Sequence, residues 1–137
     1  MPSIPISNCS TFIQIWVDTN KLQNGSSEGV YLVDNMLNNG STKEGTPGLK
    51  TNVPSGTDIC WQIFDVDPNS TAILTIASIG NASVWGKSGQ PEKVPGGVAF
   101  TGQAQSAGSA PYTLNFSAQI PGGSGITASV TPTMSVH

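Results

Sequence analysis

Apolar and polar side chains alternate at every second position over most of the chain, and this spacing constrains the fold more than any other feature. The clearest case is TDICWQIFDV, residues 57–66, where Ile59, Trp61 and Ile63 share one face. Alternation with a period of two is typical of β-strands, whose successive side chains point to opposite faces of a sheet. No segment combines a 3.6-residue period with helix caps, so the sequence predicts an all-β protein.

Seven other segments have the character of strands, and Gly- and Pro-containing connections separate them. A set of seven to nine short strands joined by hairpin-like turns predicts an antiparallel β-sandwich, immunoglobulin-like or jelly-roll, with a small closed barrel as the alternative. A length of 137 residues without an internal linker predicts a single domain over residues 1–137. The seven segments are 11–17, 29–34, 49–53, 71–80, 98–105, 111–120 and 125–136.

Charged side chains are scarce. They make up 9% of the residues, against roughly 25% in an ordinary soluble domain. Serine, threonine, asparagine and glycine take their place. Identical copies of such a chain repel one another weakly, so we expect it to self-associate as a homo-oligomer.

The basic residues are too few for nucleic-acid binding. All five are lysines, and the formal net charge is −3, so no basic face is available to neutralise phosphates. The chain also has no run of apolar residues long enough to span a membrane. We therefore expect neither nucleic acid nor a membrane span among its interactions.

Most catalytic machinery has no counterpart in the sequence. The only histidine is His137, the last residue, so a serine or cysteine nucleophile has no internal imidazole base. A zinc site with recognisable ligand spacing and a phosphate-binding glycine loop are both missing. A hydrolase that uses two carboxylates is the remaining enzymatic alternative. Its candidate acids are Asp18, Glu28, Asp34, Glu44, Asp58, Asp65, Asp67 and Glu92.

One short stretch resembles the opening half of a calcium loop, because Asp65, Asp67 and Asn69 alternate as oxygen-bearing residues. An EF-hand is excluded, since its required glycine and glutamate are replaced by Ser70 and Ile76. A looser calcium or ligand site on these three side chains is one interpretation. The simpler interpretation is a turn between strands, in which Pro68 fixes the backbone and Asp67 accepts backbone hydrogen bonds.

Tryptophans raise the alternative of a small lectin-like module, because sugars stack on exposed aromatic faces. Trp61 is expected in the core, and Trp16 in the core or an interface. Trp85 lies in the polar stretch NASVWGKSG and is the best candidate for a surface aromatic that binds carbohydrate.

Cys9 and Cys60 are the only cysteines, and their number alone does not decide whether they pair. The apolar strand around Cys60 favours a buried free thiol. The N-terminal stretch has no basic region typical of a secretory signal, so we expect a cytoplasmic protein, with release by another route as an alternative.

Several strands resemble those of the AidA/PixA family of bacterial inclusion-body proteins. The matching stretches are VDT at 17–19, VYLVDN at 30–35, VPSGTDICWQ at 53–62, AILTIASI at 72–79 and PYTLNFSAQI at 111–120. The resemblance implies an immunoglobulin-like β-sandwich whose molecular activity is undefined. It brings no catalytic residues to this chain, so the sequence predicts a non-enzymatic binding or self-assembling protein without an obligatory cofactor.

Overall fold

The computed structural model describes residues 4–22, 27–123 and 125–137, and β-strands dominate it. The all-β prediction is confirmed. The strands are β1 (Thr11–Val17), β2 (Val30–Asp34), β3 (Lys50–Val53), β4 (Thr57–Asp65), β5 (Ile73–Ile79), β6 (Glu92–Lys93), β7 (Phe100–Ala104), β8 (Gly108–Pro111), β9 (Leu114–Gln119), β10 (Gly125–Val130) and β11 (Thr133–Val136). Three short 3-10 turns cover Ile6–Asn8, Leu37–Asn39 and Ser83–Trp85.

The strands form three open sheets around a shared hydrophobic core. A five-stranded sheet has the order β2-β1-β4-β7-β6, and two three-stranded sheets have the orders β10-β9-β5 and β3-β11-β8. This arrangement is consistent with the predicted sandwich. The described strands do not close into the barrel that was the alternative. The finer prediction of an immunoglobulin-like strand order stays a prediction.

The sheets are rich in antiparallel pairs, as predicted, but two pairings are parallel. β1 runs parallel to β4, and β11 runs parallel to β3. Alternation of side chains is the same in parallel and antiparallel strands, so the sequence pattern carried no information about these two neighbours.

The inward faces of the strands contribute alternate residues to the core. On β1 these are Ile13 and Ile15, and on β4 they are Ile59 and Trp61, all fully buried. In the segment 111–120, where the sequence predicts a strand, the alternate residues Tyr112, Leu114 and Phe116 are likewise buried. Burial of such side chains is the main favourable contribution to folding.

Candidate functional site

The loop of residues 65–69, here called the acidic loop, leaves the end of β4 as a hydrogen-bonded turn. One oxygen of the Asp65 side chain accepts the backbone N–H of Asp67 at 2.9 Å, and the Asp67 side chain accepts the N–H of Asn69 at 2.9 Å. The hydroxyl of Thr19 lies 3.3 Å from each carboxylate oxygen of Asp65. Aspartate bonded to the backbone two residues on is ordinary turn chemistry.

The Asp67 carboxylate has a second partner outside the loop. The side-chain amide of Asn20 donates to it at 3.1 Å. The backbone N–H of Asn69 and then this amide lower the pKa of Asp67 below its ordinary value. Asp67 is therefore a stable carboxylate at neutral pH, whichever role the loop has.

A shallow pocket of about 250 Å³ lies against the acidic loop. Its lining offers hydroxyl, amide and carboxylate oxygens, the groups that bind polyhydroxylated ligands or a hard cation. Among the residues that the structure describes, no three His, Cys, Asp or Glu side chains converge to hold a metal ion. The polar lining consists of Thr19, Asn20, Asp67, Asn69, Ser70 and Thr71.

Trp85 is not a surface aromatic, and this sequence-based expectation was wrong. Its side chain is fully buried, and its indole N–H donates to the backbone carbonyl of Gly80 at 3.1 Å. Its ring meets those of Trp61 and Tyr112 edge to face, with centroids 5.6 and 5.4 Å away. These three residues form the aromatic cluster, and Trp85 has no exposed ring face on which a sugar could stack.

Within the aromatic cluster the polar atoms are also paired. The indole N–H of Trp61 donates to the hydroxyl of Tyr112 at 3.2 Å. Complete burial raises the pKa of the Tyr112 hydroxyl, so it stays protonated and can serve as acceptor. The cluster is a packing unit with satisfied hydrogen bonds.

Trp16 lies on the outer face of the five-stranded sheet and is partly buried. Its ring stacks on that of Phe64 with centroids 5.0 Å apart, and its indole N–H donates to Gln14 at 3.1 Å. Of the three tryptophans, Trp16 is the one whose side chain keeps contact with solvent.

Sequence reasoning missed a pair of carboxyl groups, Asp34 and Glu44, here called the carboxyl pair. The Asp34 side chain accepts from the hydroxyl of buried Thr51 at 2.7 Å, and its backbone N–H donates to Glu44 Oε1 at 2.8 Å. The second oxygen, Glu44 Oε2, is buried without a hydrogen-bond partner among the described atoms. Burial and the neighbouring Asp34 raise the pKa of Glu44 to about 7. The two acids lie ten positions apart in the sequence, and only the fold of the 35–49 loop brings them together, so the sequence did not reveal the pair.

Both cysteines are free thiols, and Cys60 is buried as expected. Burial raises the pKa of the Cys9 thiol to about 12, and the nearby Cys60 and Asp58 add to the shift. Both thiols stay protonated at neutral pH, which makes them poor nucleophiles.

Charge is unevenly distributed over the fold. The three-stranded sheet of β5, β9 and β10 contains no charged residue and is here called the uncharged sheet. After Asp67 the only charged residues in the sequence are Lys87, Glu92 and Lys93. On the outer face of this sheet lies a shallow depression of about 250 Å³, lined by serine, threonine and asparagine side chains together with Ala77, Phe116 and Ala128.

Comparison with known proteins gives one family and one fold. The model of a family described as a domain of unknown function (DUF8788) matches residues 9–124. The crystal structure of an inclusion body protein, PixA, from Burkholderia cenocepacia J2315 superposes with a TM-score of 0.68 at 17% identity. The match covers 98% of this chain and 100% of that one, so the resemblance seen in the sequence is confirmed at the level of the fold. No curated protein sequence matches the chain.

No helix in the described part of the chain is both long and apolar enough to cross a membrane.

Proposed function

The chain belongs to the family described as a domain of unknown function (DUF8788), and from its own surfaces we propose that it is a non-enzymatic protein that works by associating with further copies of itself. The observation that carries this proposal is the uncharged sheet. Most protein surfaces carry enough like charge to keep identical copies apart. One whole sheet of this protein lacks that protection.

The chemistry of the acids is in keeping with a structural role. Asp34, Asp65 and Asp67 each accept hydrogen bonds from neighbouring backbone or hydroxyl groups. The similar Burkholderia protein carries the name inclusion body protein, a name that fits dense accumulation. Two free thiols fit a reducing compartment such as the cytoplasm.

Sedimentation velocity over a range of protein concentrations tests the proposal. We expect the weight-average mass to rise with concentration. We also expect the association to persist when sodium chloride is raised, because salt screens attraction between charges and leaves uncharged contacts in place. A single monomeric boundary at every concentration would contradict the proposal.

A second candidate function is binding of a hydroxyl-rich ligand, such as a carbohydrate, in the pocket beside the acidic loop. The polar lining of that pocket favours this alternative. Calcium would be held by the side-chain oxygens of Asp65, Asp67 and Asn69. Because Trp85 is buried, a sugar would have to bind there through hydrogen bonds, without stacking on that ring.

Thermal melting with calcium and with a chelator separates this candidate from the first. A calcium site predicts a higher Tm with calcium in the wild type and none of that increase in Asp67→Ala. Asp58→Ala is the matched control, since Asp58 accepts from Gln103 at a different place in the five-stranded sheet. Equal melting of the wild type in both buffers would remove calcium from the proposal.

A further inference from the structure

The six outermost strands of the three sheets differ in how their free edges are protected. An exposed edge offers unpaired backbone N–H and C=O groups to another chain, and proteins usually block it. Among the residues that the structure describes, covering loops, charges, shortness, proline or a bulge protect five of the edges.

Loop residues cover the outer edges of β2 and β3. Gly45 donates its backbone N–H to Leu32 of β2 at 2.7 Å. Thr42 and Lys50 exchange backbone hydrogen bonds of 3.0 Å on the outer side of β3. A strand from another chain could pair with these edges of β2 and β3 only if the 35–49 loop moved away from them.

β6 and β8 are poor templates for a different reason. β6 consists only of Glu92 and Lys93, so its edge is short and fully charged. β8 has four residues and ends in Pro111, which has no backbone N–H to donate.

The two edges of the uncharged sheet are unlike each other. On β5, the register with β9 shifts between Ile76 and Ser78, so Ala77 forms a bulge. A bulge twists a strand and interrupts the regular spacing of its hydrogen-bonding groups. β10 pairs with β9 over six consecutive residues without a shift, and it contains neither proline nor charge.

We propose that β10 is the surface through which two copies of this chain associate, by antiparallel pairing of β10 with β10 of the second copy. The inference rests on the self-association proposed above and names its interface. Antiparallel pairing of the same strand is two-fold symmetric, so both copies use the same residues and the contact closes as a dimer. The two uncharged sheets then join into one six-stranded sheet.

The side chains of β10 suit this pairing on both faces. Its outward face carries small polar residues, including exposed Ser129, which do not hinder approach of an identical strand. On the other face Ile126 is only partly buried against the core. A second β10 would cover more of Ile126, which adds apolar burial to the new backbone hydrogen bonds.

A matched pair of lysine substitutions tests the interface. Ser129 on β10 and Ser78 on β5 both pair with Asn115 of β9, so they lie in one row on the outward face, at opposite edges of the same sheet. Both are exposed. Ser129→Lys would place like charges close together across a β10–β10 contact, whereas Ser78→Lys adds the same charge at the bulged edge.

Sedimentation equilibrium of the wild type and both variants gives the dissociation constant of the dimer. We expect Ser129→Lys to weaken dimerisation at least tenfold and Ser78→Lys to leave it within twofold. If all three proteins associate equally, the β10 interface is wrong while self-association stands. If the wild type is a monomer throughout, both proposals are wrong.

Hydrogen exchange of the wild type gives a second measurement that needs no variant. Backbone amides that gain a partner strand exchange more slowly. Peptides containing Gly125–Val130 are expected to gain protection as protein concentration rises, while peptides containing Ile73–Ile79 are not. Protection that rises in β5 and not in β10 would overturn the assignment.

Discussion

Trp85 of the aromatic cluster and the acidic loop both suggest ligand binding in the sequence, yet the fold uses them in opposite ways. Trp85 closes over the core, where its ring and its indole N–H are both occupied by protein groups. Asp67 stays partly exposed and organises a turn. Residue type therefore says little about function here until burial is known. The cluster should matter for stability, and the loop should matter little.

The largest effect is expected from Trp85→Ala. Truncating this fully buried side chain loses the apolar surface that it buries and leaves a cavity beside Trp61 and Tyr112. Together these are expected to lower the free energy of unfolding by about 3–5 kcal/mol. Chemical denaturation followed by circular dichroism measures it.

Trp16→Ala is the control for this comparison, because Trp16 is only partly buried and stacks on one ring. We expect it to cost roughly 1–2 kcal/mol. If the two variants lost the same free energy of unfolding, the aromatic cluster would contribute no more to stability than the partly exposed Trp16.

A smaller effect, which depends on pH, is expected at the carboxyl pair. Glu44 has its pKa raised from 4.5 to about 7 in the folded protein. Its stabilising contribution is therefore complete below pH 4.5 and is lost as the pH rises through about 7. Glu44→Gln keeps the shape and cannot ionise. From about pH 5 to pH 8 the Tm of the variant should therefore rise relative to that of the wild type.

Glu92→Gln serves as the control for that experiment, since β6 is at the opposite edge of the five-stranded sheet from β2. Its Tm should follow the wild type across the same pH range. A Glu44→Gln profile parallel to that of the wild type would show that the Glu44 pKa is not raised.

The smallest effect is expected from Asp67→Ala in the absence of calcium. The variant loses a turn hydrogen bond at a partly exposed position on the surface, so its Tm at neutral pH should fall only slightly. Because the pKa of Asp67 is lowered in the folded state, this contribution is present above its ordinary value of 3.8 and is lost as the pH falls below it. Melting in acid should therefore bring variant and wild type together. A large loss at neutral pH would show that the loop is a structural centre as important as the cluster.

The parts of this fold that could be read from the sequence are those encoded by neighbouring residues. The alternation around Ile59, Trp61 and Ile63 predicted a strand and its buried face, and both are present. The turn chemistry of Asp67 and Pro68 was likewise visible, because its hydrogen bonds join residues two positions apart.

The remaining features depend on residues that are distant in the chain. Trp85 appears in a polar stretch, but the 3-10 turn Ser83–Trp85 directs its ring into a core built from β4 and Tyr112. Likewise, the partner of Glu44 is determined by how the 35–49 loop folds back on β2. Local pattern cannot specify such contacts.

The parallel pairing of β3 with β11 has a consequence for how the protein folds. β3 cannot complete its sheet until β11 (Thr133–Val136), which lies far from it along the chain, comes to lie beside it. The same strand also separates β3 from β8, so neither can take its place in this sheet before β11 does. Pairing of strands that are so distant in the sequence is expected to make folding slow, because the long connection between them must close before the new contacts stabilise it.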